Sequence, residues 1–347
     1  MSSIVEDVRP QPGIVSKGQR PGAETAFVPP PVVKTAPQKL LAVPVGACIA
    51  LAIHFFVPKR EPVPPTHYYP LLLFVMLGLG LLGAALYPFF EGLRKRMRHL
   101  CPLLGVATMT AGLWELVTSC LGLLPLPYFP GPEGVFGSMV SDYKLLLDST
   151  WHSLILLVSG YALGVAIALI TGVTIGWFNH ARYWGMPLLK VVGPIPATAW
   201  IPLAMVVSPS TVFSAIGLIA LAVWFPVTML TASGINNTRA SYLDVARTLG
   251  ARQTYLIFRV AIPAALPNIF IGLFMGLGTS FLTLVVAENV GVKSGLGWYV
   301  SWAQGWAEYG KVYAALFIMA AFFSTIMTVL FKVRDRALGW QKGIIKW

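Results

Sequence analysis

The chain contains 347 residues, of which 56% are hydrophobic and only 11% are charged, and its mean hydropathy is +0.72. Since a soluble domain carries about 25% charged residues, this composition excludes an ordinary water-soluble enzyme and predicts a membrane protein with several spans. The net charge of +12 does not favour nucleic-acid binding, because the basic residues separate apolar runs of spanning length. The three cysteines lie inside apolar runs without C-x-x-C spacing, so neither a disulfide framework nor a metal site is predicted.

Residues 1–39 are polar and rich in proline, and we predict that they form a disordered cytoplasmic tail. A cleavable signal peptide is not expected, because the first apolar run begins only near Leu40. Eight candidate spans follow; the first is short for the roughly 20 residues that a crossing needs, and the fifth contains several prolines. Their approximate bounds are 40–57, 69–90, 101–124, 151–178, 186–208, 211–232, 264–287 and 311–331.

The distribution of Lys and Arg predicts the orientation. If all eight runs cross the membrane and the N-terminus is cytoplasmic, 20 of the 25 Lys and Arg residues lie on the cytoplasmic side. Cytoplasmic loops are enriched in these residues. We therefore predict that both termini are cytoplasmic.

The fourth span contains small residues at every fourth position. A stripe of this kind lets two helix backbones approach closely, so we predict tight packing against another helix. The stripe consists of Gly160, Gly164, Ala168, Gly172 and Gly176.

The fifth span is interrupted by prolines, each of which removes a backbone donor and frees a carbonyl. Such breaks are tolerated where neighbouring protein or a water-filled cavity satisfies the backbone, which is typical of a transport path. A kinked helix that only packs against its neighbours is the alternative. The candidate path residues in this span are Pro194, Pro196, Trp200 and Pro202.

The seventh span carries small and hydroxyl-bearing residues at helical spacing. This stripe either packs against another helix or faces a polar cavity, and both can hold at a dimer axis. The candidate residues for the translocation path or a dimer interface are Gly272, Gly276, Thr279, Ser280, Thr283 and Glu288.

The loop between the sixth and seventh spans, residues 241–263, carries the most informative motif. Ser241 followed by Asp244 is a variant of the capping box and predicts a helix that begins at Tyr242. Gly250 is placed to end this helix through a left-handed cap.

Further along the loop, we predict a second short helix over about 252–260 that ends before Pro263. On the first helix, Leu243, Ala246 and Leu249 could present a shallow apolar face that a soluble partner binds.

This loop resembles the EAA loop of ABC-transporter permeases, whose pattern is E-A-A, three residues, G, nine residues and I-x-L-P. The spacing is kept throughout, and the substitutions are conservative. The matching positions are Asp244, Val245, Ala246, Gly250, Val260, Ile262 and Pro263.

Two other segments resemble the nitrate/sulfonate/taurine/bicarbonate branch of these permeases. Residues 193–204 look like the branch's proline-rich third core helix, and residues 287–298 look like its A-E-x-x-G…G-L-G segment. The resemblance covers about 101–335 and implies an all-α, six-helix type I importer core. The two helices within 40–100 then look like an N-terminal addition, and 336–347 like a basic cytoplasmic tail.

The resemblance implies an ATP-driven importer of the bacterial inner membrane. Two copies of the permease, by default a homodimer, would form the path through the lipid. Two cytoplasmic ATPases would dock on the EAA loops, and a periplasmic or lipid-anchored binding protein would deliver a small anion such as a sulfonate, nitrate, taurine or bicarbonate. The chain has no G-x-x-x-x-G-K-[ST] phosphate loop, so ATP and Mg²⁺ would be bound by the partner and not by this subunit.

Two other classes of protein remain as alternatives. A secondary transporter or channel without an ATPase usually carries ionisable residues at mid-membrane. The spans 151–178, 211–232 and 264–287 contain none, and Glu115 and Glu288 have no evident basic partner in the sequence. A membrane-embedded enzyme is disfavoured, because the five histidines are scattered without metal-ligand spacing and no nucleophile–base pair is evident.

Overall fold

The computed structural model of the protein describes residues 41–60, 66–87, 89, 91–124 and 126–341. This part of the chain forms helices and no strands, which confirms the all-α prediction. The predicted tail 1–39 and the last residues, 342–347, lie outside the described residues.

The α-helices are, in chain order, α1 (Ala42–Phe56), α2 (Tyr68–Leu86), α3 (Glu91–Glu115), α4 (Pro132–Ser141), α5 (Tyr143–Trp177), α6 (Asn179–Val192), α7 (Ile201–Val207), α8 (Thr211–Asn236), α9 (Ala240–Thr248), α10 (Gln253–Tyr255), α11 (Ile262–Val290), α12 (Leu296–Gly305) and α13 (Tyr309–Ala337). Two π-helical segments, Leu116–Cys120 and Leu256–Ala261, extend α3 and join α10 to α11. Two 3₁₀ turns, Ala197–Trp200 and Gly339–Gln341, precede α7 and follow α13.

Six helices among the described residues are long and apolar enough to cross a membrane, and a seventh crossing is possible if one bent pair counts as a span. Of the eight predicted candidate spans, six therefore meet this criterion outright, the fifth is the bent pair, and the first, which was short in the sequence, does not meet it. Helix α1 has only 15 residues, which is about 22 Å against a hydrocarbon core of about 30 Å. The fifth predicted span is two helices, 179–192 and 197–207, bent by 84°. The predicted domain boundary after residue 100 lies within α3.

The centre of the bundle is the contact between α5 and α8, and the predicted small-residue stripe lies in it. A methyl group added at Gly164 would come within 2.7 Å of the Ala220 carbonyl oxygen, and one at Gly172 within 2.7 Å of the Thr231 side chain. The packing prediction for the fourth span is thus confirmed. Near its two ends the stripe meets Ile219 and Ile235, so the two helices run in the same direction.

The chain between two parallel helices has to return along the bundle. The stripe covers about 24 Å at 1.5 Å per residue, so the segment from α5 to α8 must cover a similar distance. The bent pair α6–α7 makes this return. Prolines at Pro194 and Pro196 mark the bend, and Pro202 lies in the first turn of α7, where a missing backbone donor is tolerated.

Helix α11 packs antiparallel on the other side of α8. Gly272 lies against Val227, Gly276 lies against Val223, and Gly234 of α8 lies against Asn268. The small residues of the seventh span therefore serve helix packing on this face.

The N-terminal helices pack on α3. Gly46 of α1 lies against Thr108, and Gly112 of α3 lies against Ala50, so α1 and α3 run parallel. Helix α2 returns antiparallel, since Gly80 lies against Pro44. We call α1 and α2 with their connection the N-terminal hairpin.

We predict that Gly164→Ala destabilises the protein, because the added methyl group meets backbone that cannot move without separating α5 from α8. Overpacking of this kind costs about 1–3 kcal/mol. The matched control is Gly217→Ala on α8, where an added methyl group meets nothing within 4 Å. Thermal unfolding of both variants in detergent measures the effect; equal midpoints would contradict the role given to the stripe.

Candidate functional site

The bend between α6 and α7 opens a cavity of about 810 Å³ against α8 and α11. It is lined by the bend itself, by one face of α8, by one face of α11 and by Phe323 of α13. At the bend Gly193 lies directly on the Phe225 ring, and any side chain at this position would overlap it. The broken return of the chain thus creates a cavity large enough for a small solute.

The lining carries no charged side chain. It is mainly apolar and aromatic, with three hydroxyl groups that come from Thr198, Thr279 and Thr283. Thr279 Oγ1 donates to backbone carbonyl oxygens and lies 3.0 Å from that of Ala222. The indole Nε1 of Trp200 is buried and has no hydrogen-bond partner among the described residues. The cavity therefore offers a solute apolar walls and a few hydrogen-bonding groups but no fixed charge.

Four of the predicted path residues line this cavity: Pro196, Trp200, Thr279 and Thr283. The others lie elsewhere. Pro194 and Pro202 flank the bend, and Gly272 and Gly276 pack on α8. Ser280 is fully buried and donates to the Leu277 carbonyl at 2.7 Å. One face of α11 packs on α8, as the first interpretation of the seventh span has it. The next face lines a cavity, but this cavity is mainly apolar and not the polar one of the second interpretation.

Sequence reasoning did not single out the aromatic part of the lining. Trp224 and Phe225 lie beside Pro226 in the middle of α8, and a proline between apolar residues was the signal that could have drawn attention to them. Phe281 and Phe323 lie on different helices. Only the tertiary packing brings them together.

Glu288 has a different role from the predicted one, since it does not line the cavity. Its side chain is 1% exposed. Its Oε1 accepts from the Ser153 hydroxyl at 2.6 Å, and its Oε2 accepts from the Gly297 backbone N–H at 2.7 Å. The Ser153 oxygen in turn accepts from the Leu296 backbone N–H at 2.9 Å. Glu288 and Ser153 together satisfy the first backbone donors of α12, as an N-terminal cap does.

Glycine is required on both sides of this cap. Gly295 has φ +100, and a side chain there would overlap the Glu288 carboxylate. At Gly297 an added methyl group would lie 2.6 Å from the Val285 carbonyl oxygen. The glutamate and the glycines of the A-E-x-x-G…G-L-G pattern therefore hold α12 to the end of α11.

The first turn of α12 is also held to the start of α5. The Tyr299 hydroxyl donates to Asp142 Oδ2 at 2.9 Å, and Lys311 lies 3.2 Å from the same oxygen. Burial, followed by the hydrogen bond to Asp142 and its charge, raises the pKa of Tyr299 above its usual value, so the hydroxyl is a donor at neutral pH. The start of α12 is thus attached to both α11 and α5 on this side of the bundle, which we call the α12 end.

At the opposite end of the bundle lies α9, within the predicted EAA loop. The predicted capping box is not formed: the helix begins at Ala240 after Arg239, and no side chain caps it. Ser241 lies within the first turn, and Asp244 is 3.1 Å from Arg247. The box fails because the helix starts two residues earlier than predicted.

The end of α9 is as predicted. Gly250 has φ +80, and its N–H donates to the Arg247 carbonyl while the Ala251 N–H donates to the Ala246 carbonyl. This pair of bonds is the Schellman motif, which places a left-handed residue after the helix.

The apolar face that α9 exposes is shifted from the predicted one. Leu243 and Ala246 are half-buried, whereas Tyr242, Val245 and Leu249 are exposed, Leu249 by 82%. The three exposed residues recur at i, i+3 and i+7 and so share one helix face. We call them the α9 patch.

The second helix of the loop does not end before Pro263. It continues through a π-helical segment into α11, so that one helix runs over Gln253–Val290. Pro263 lies in the first turn of the α-helical part, where its missing donor is tolerated. The π turn before it widens the helix instead of ending it, and such turns are frequent at functional sites.

Comparison with known proteins agrees with this architecture of a membrane permease. The family described as binding-protein-dependent transport system inner membrane component matches residues 164–339. A Bacillus subtilis permease named for the transport of aliphatic sulfonates is 30% identical over 233 residues, which cover 65% of this chain and 82% of that protein.

Two proteins of Synechococcus elongatus are also similar. A nitrate import permease is 25% identical over 56% of this chain and 72% of its own length. A bicarbonate transport system permease is 29% identical over 58% of this chain and 76% of its own length.

The chain is therefore a permease subunit of an ABC transporter. It belongs to the binding-protein-dependent inner membrane component family, in the branch that includes sulfonate, nitrate and bicarbonate permeases. It is a multi-pass membrane protein, and its family works in complexes with an ATPase and a substrate-binding protein.

We predict that Glu288→Ala destabilises the α12 end, because it leaves the Gly297 N–H and the Ser153 hydroxyl without their acceptor. An unsatisfied buried polar group costs about 1–3 kcal/mol. Glu288→Gln should cost less, since it keeps an acceptor oxygen. Thermal unfolding and limited proteolysis after α12 measure the effect. Glu308→Ala, at an exposed carboxylate on the same side, is the control; equal stability of all three variants would contradict the capping role.

Proposed function

We propose that this chain is the translocating subunit of an ATP-driven importer for a small anion, such as a sulfonate, taurine, nitrate or bicarbonate. The observation that carries the proposal is the uncharged cavity at the broken α6–α7 segment. The names of the sulfonate, nitrate and bicarbonate relatives support the substrate class.

The chemistry of the cavity fits a solute that is released quickly. No charged side chain is among the described lining residues, and the Thr279 and Thr283 hydroxyls already donate to backbone carbonyls. An anion would therefore be held by few groups, the Thr198 hydroxyl and the Trp200 indole, whose N–H has no partner among the described residues. A transport path needs weak binding, because the solute must leave. We infer that selection among anions rests on the partner binding protein, periplasmic or lipid-anchored.

We propose a homodimer as the working unit. Met275 and Leu282 line the cavity and are 56% and 68% exposed, so the cavity is incomplete within one chain. A second copy against this face would close it and place the Thr279 and Thr283 hydroxyls of both copies around one path. The residues that the sequence analysis assigned to a translocation path or a dimer interface would then lie between the two copies.

We further propose that two cytoplasmic ATPases bind the α9 patches of the two permeases and supply the ATP and Mg²⁺ chemistry, so that this subunit is not itself catalytic. The α9 end then lies in the cytoplasm of the bacterial cell and the α12 end outside its inner membrane. The 20-to-5 distribution of Lys and Arg supports this orientation.

We expect Gly278→Phe to abolish uptake without unfolding the protein. Gly278 lines the cavity on α11, and a side chain there meets nothing within 4 Å, so the ring would project into the cavity. Gly78→Phe on α2 is the matched control, because a side chain at Gly78 also meets nothing within 4 Å but does not line the cavity. Uptake of labelled sulfonate, nitrate and bicarbonate into proteoliposomes is the measurement. Normal uptake by Gly278→Phe would exclude the cavity from the path.

We expect Gly250→Val to uncouple the ATPase. A β-branched residue at φ +80 costs about 1–2 kcal/mol, and nothing crowds the position, so the strain stays local to the end of α9. Asp244→Ala on the same helix should have little effect, because an exposed ion pair contributes about 0.2–1 kcal/mol.

The measurements are co-purification of the ATPase and substrate-stimulated ATP hydrolysis in lipid, together with thermal unfolding of the permease. The expected pattern is a folded Gly250→Val permease without its ATPase and an unaffected Asp244→Ala permease. If both retain the ATPase, the α9 patch is not the docking surface and the proposed orientation loses its support.

A further inference from the structure

A buried polar cluster joins the N-terminal hairpin to the rest of the protein. His54 comes from the last turn of α1, Lys59 from the connection after it, Glu115 from the end of α3 and Glu133 from the first turn of α4. His54 Nδ1 lies 2.6 Å from Glu115 Oε1, and Lys59 Nζ lies 2.6 Å from Glu133 Oε2. No spacing in the sequence indicates this cluster, since His54 and Glu115 are 61 residues apart. The interpretation of Glu115 as a residue without a basic partner was wrong.

One carboxylate oxygen of the cluster has room for a further partner. Glu115 is 1% exposed, and its Oε2 has no hydrogen bond of ordinary length among the described residues. The fully buried Tyr69 hydroxyl of α2 lies beside Glu115, and the Tyr69 ring lies 5.6 Å from the His54 ring. A buried acceptor of this kind is completed by a neighbouring hydroxyl, a water molecule or an ion.

The charges of the cluster leave room for a divalent cation. Two buried carboxylates, Glu115 and Glu133, face the ammonium of Lys59 and the imidazole of His54, which carries a charge only when it is protonated. An unpaired charge in the interior is costly, and a divalent ion would balance both carboxylates with a neutral imidazole as its third ligand. The ligand atoms of His54, Glu115 and Glu133 lie within 4.8 Å of one another, and an imidazole with two carboxylates is a ligand set that suits Zn²⁺ and related divalent ions.

The Lys59 ammonium occupies the place between the carboxylates where a cation would bind, and its side chain is able to move away from it. Its Nζ lies 3.5 Å from both His54 Nδ1 and Glu115 Oε1, in addition to its contact with Glu133. Its side chain is 26% exposed, and it borders a cavity of about 530 Å³ that opens between α1 and α2. The long flexible side chain can therefore swing into this cavity and still keep its charge in water.

We propose that His54, Glu115 and Glu133 form a binding site for a divalent transition-metal ion such as Zn²⁺, which displaces the Lys59 ammonium and fastens the N-terminal hairpin to α3 and α4. His54 Nδ1 and one oxygen of each carboxylate would be the ligands. These atoms lie within 4.8 Å of one another, whereas ligands about 2.0–2.2 Å from one tetrahedral ion lie about 3.3–3.6 Å apart, so the set would close by at most about 1.5 Å around the ion. Three protein ligands leave a position for water.

The site stands apart from transport. The family match begins at residue 164, so all ligands lie outside it, and none of them lines the cavity at the α6–α7 bend. The proposal does not depend on the proposed function, and its failure would leave that function untouched. A bound ion would act on the attachment of the hairpin.

The first experiment uses the full-length, untagged protein in detergent, stripped with a chelator and then supplied with Zn²⁺ alone. We expect about one Zn²⁺ per chain by elemental analysis and a higher unfolding midpoint, because an ion that binds only the folded state stabilises it. Glu133→Gln and His54→Ala should lose both effects. His152→Ala is the control, since His152 forms an exposed pair with Asp148. Absence of Zn²⁺ binding, or binding unchanged in Glu133→Gln, overturns the proposal.

A second variant decides between the metal ion and Lys59 as the permanent cation. Lys59→Met removes the competitor, so a metal site should bind Zn²⁺ more tightly, and Zn²⁺ should restore the stability lost with the ammonium. If Lys59 is the permanent partner, Lys59→Met is destabilised and added Zn²⁺ neither binds nor restores it. That result overturns the proposal even where Glu133→Gln and His54→Ala fail to fold.

Discussion

Close contact between two parallel helices is the constraint on which the rest of the structure depends. Because glycines allow α5 and α8 to touch along their length, no room remains between them for the chain that connects them. That chain must return around the pair, and its prolines prevent a straight helix. The cavity is the space that this broken return leaves against α8 and α11. The close packing of α5 against α8 is therefore also the cause of the cavity at the α6–α7 bend.

Sequence patterns predicted the features that depend on local backbone. The stripe from Gly160 to Gly176 needs only helical spacing to be recognised, and the left-handed Gly250 needs only a glycine at the end of a helix. The break between α6 and α7 could be predicted for the same reason, since the prolines that cause it act on the local backbone. Each of these signals is short in sequence and has one physical meaning.

Other features could not be derived from spacing. The start of α9 was misplaced by two residues. That shift was enough to move Ser241 and Asp244 from capping positions into the helix itself and to change the exposed face to the α9 patch. Phe281 and Phe323 meet only through tertiary packing. For Glu288 the motif was recognised, but its partner Ser153 lies 135 residues away, so the capping of α12 needed coordinates.

The long helix over Gln253–Val290 connects the two ends of the bundle. Its 38 residues make a rod about 57 Å long. The rod starts next to α9, passes the cavity with Thr279 and Thr283, and ends at the carboxylate that holds α12. Because one continuous helix contributes to all three places, a displacement of its first turns would have to be taken up at the cavity wall or at the cap of α12.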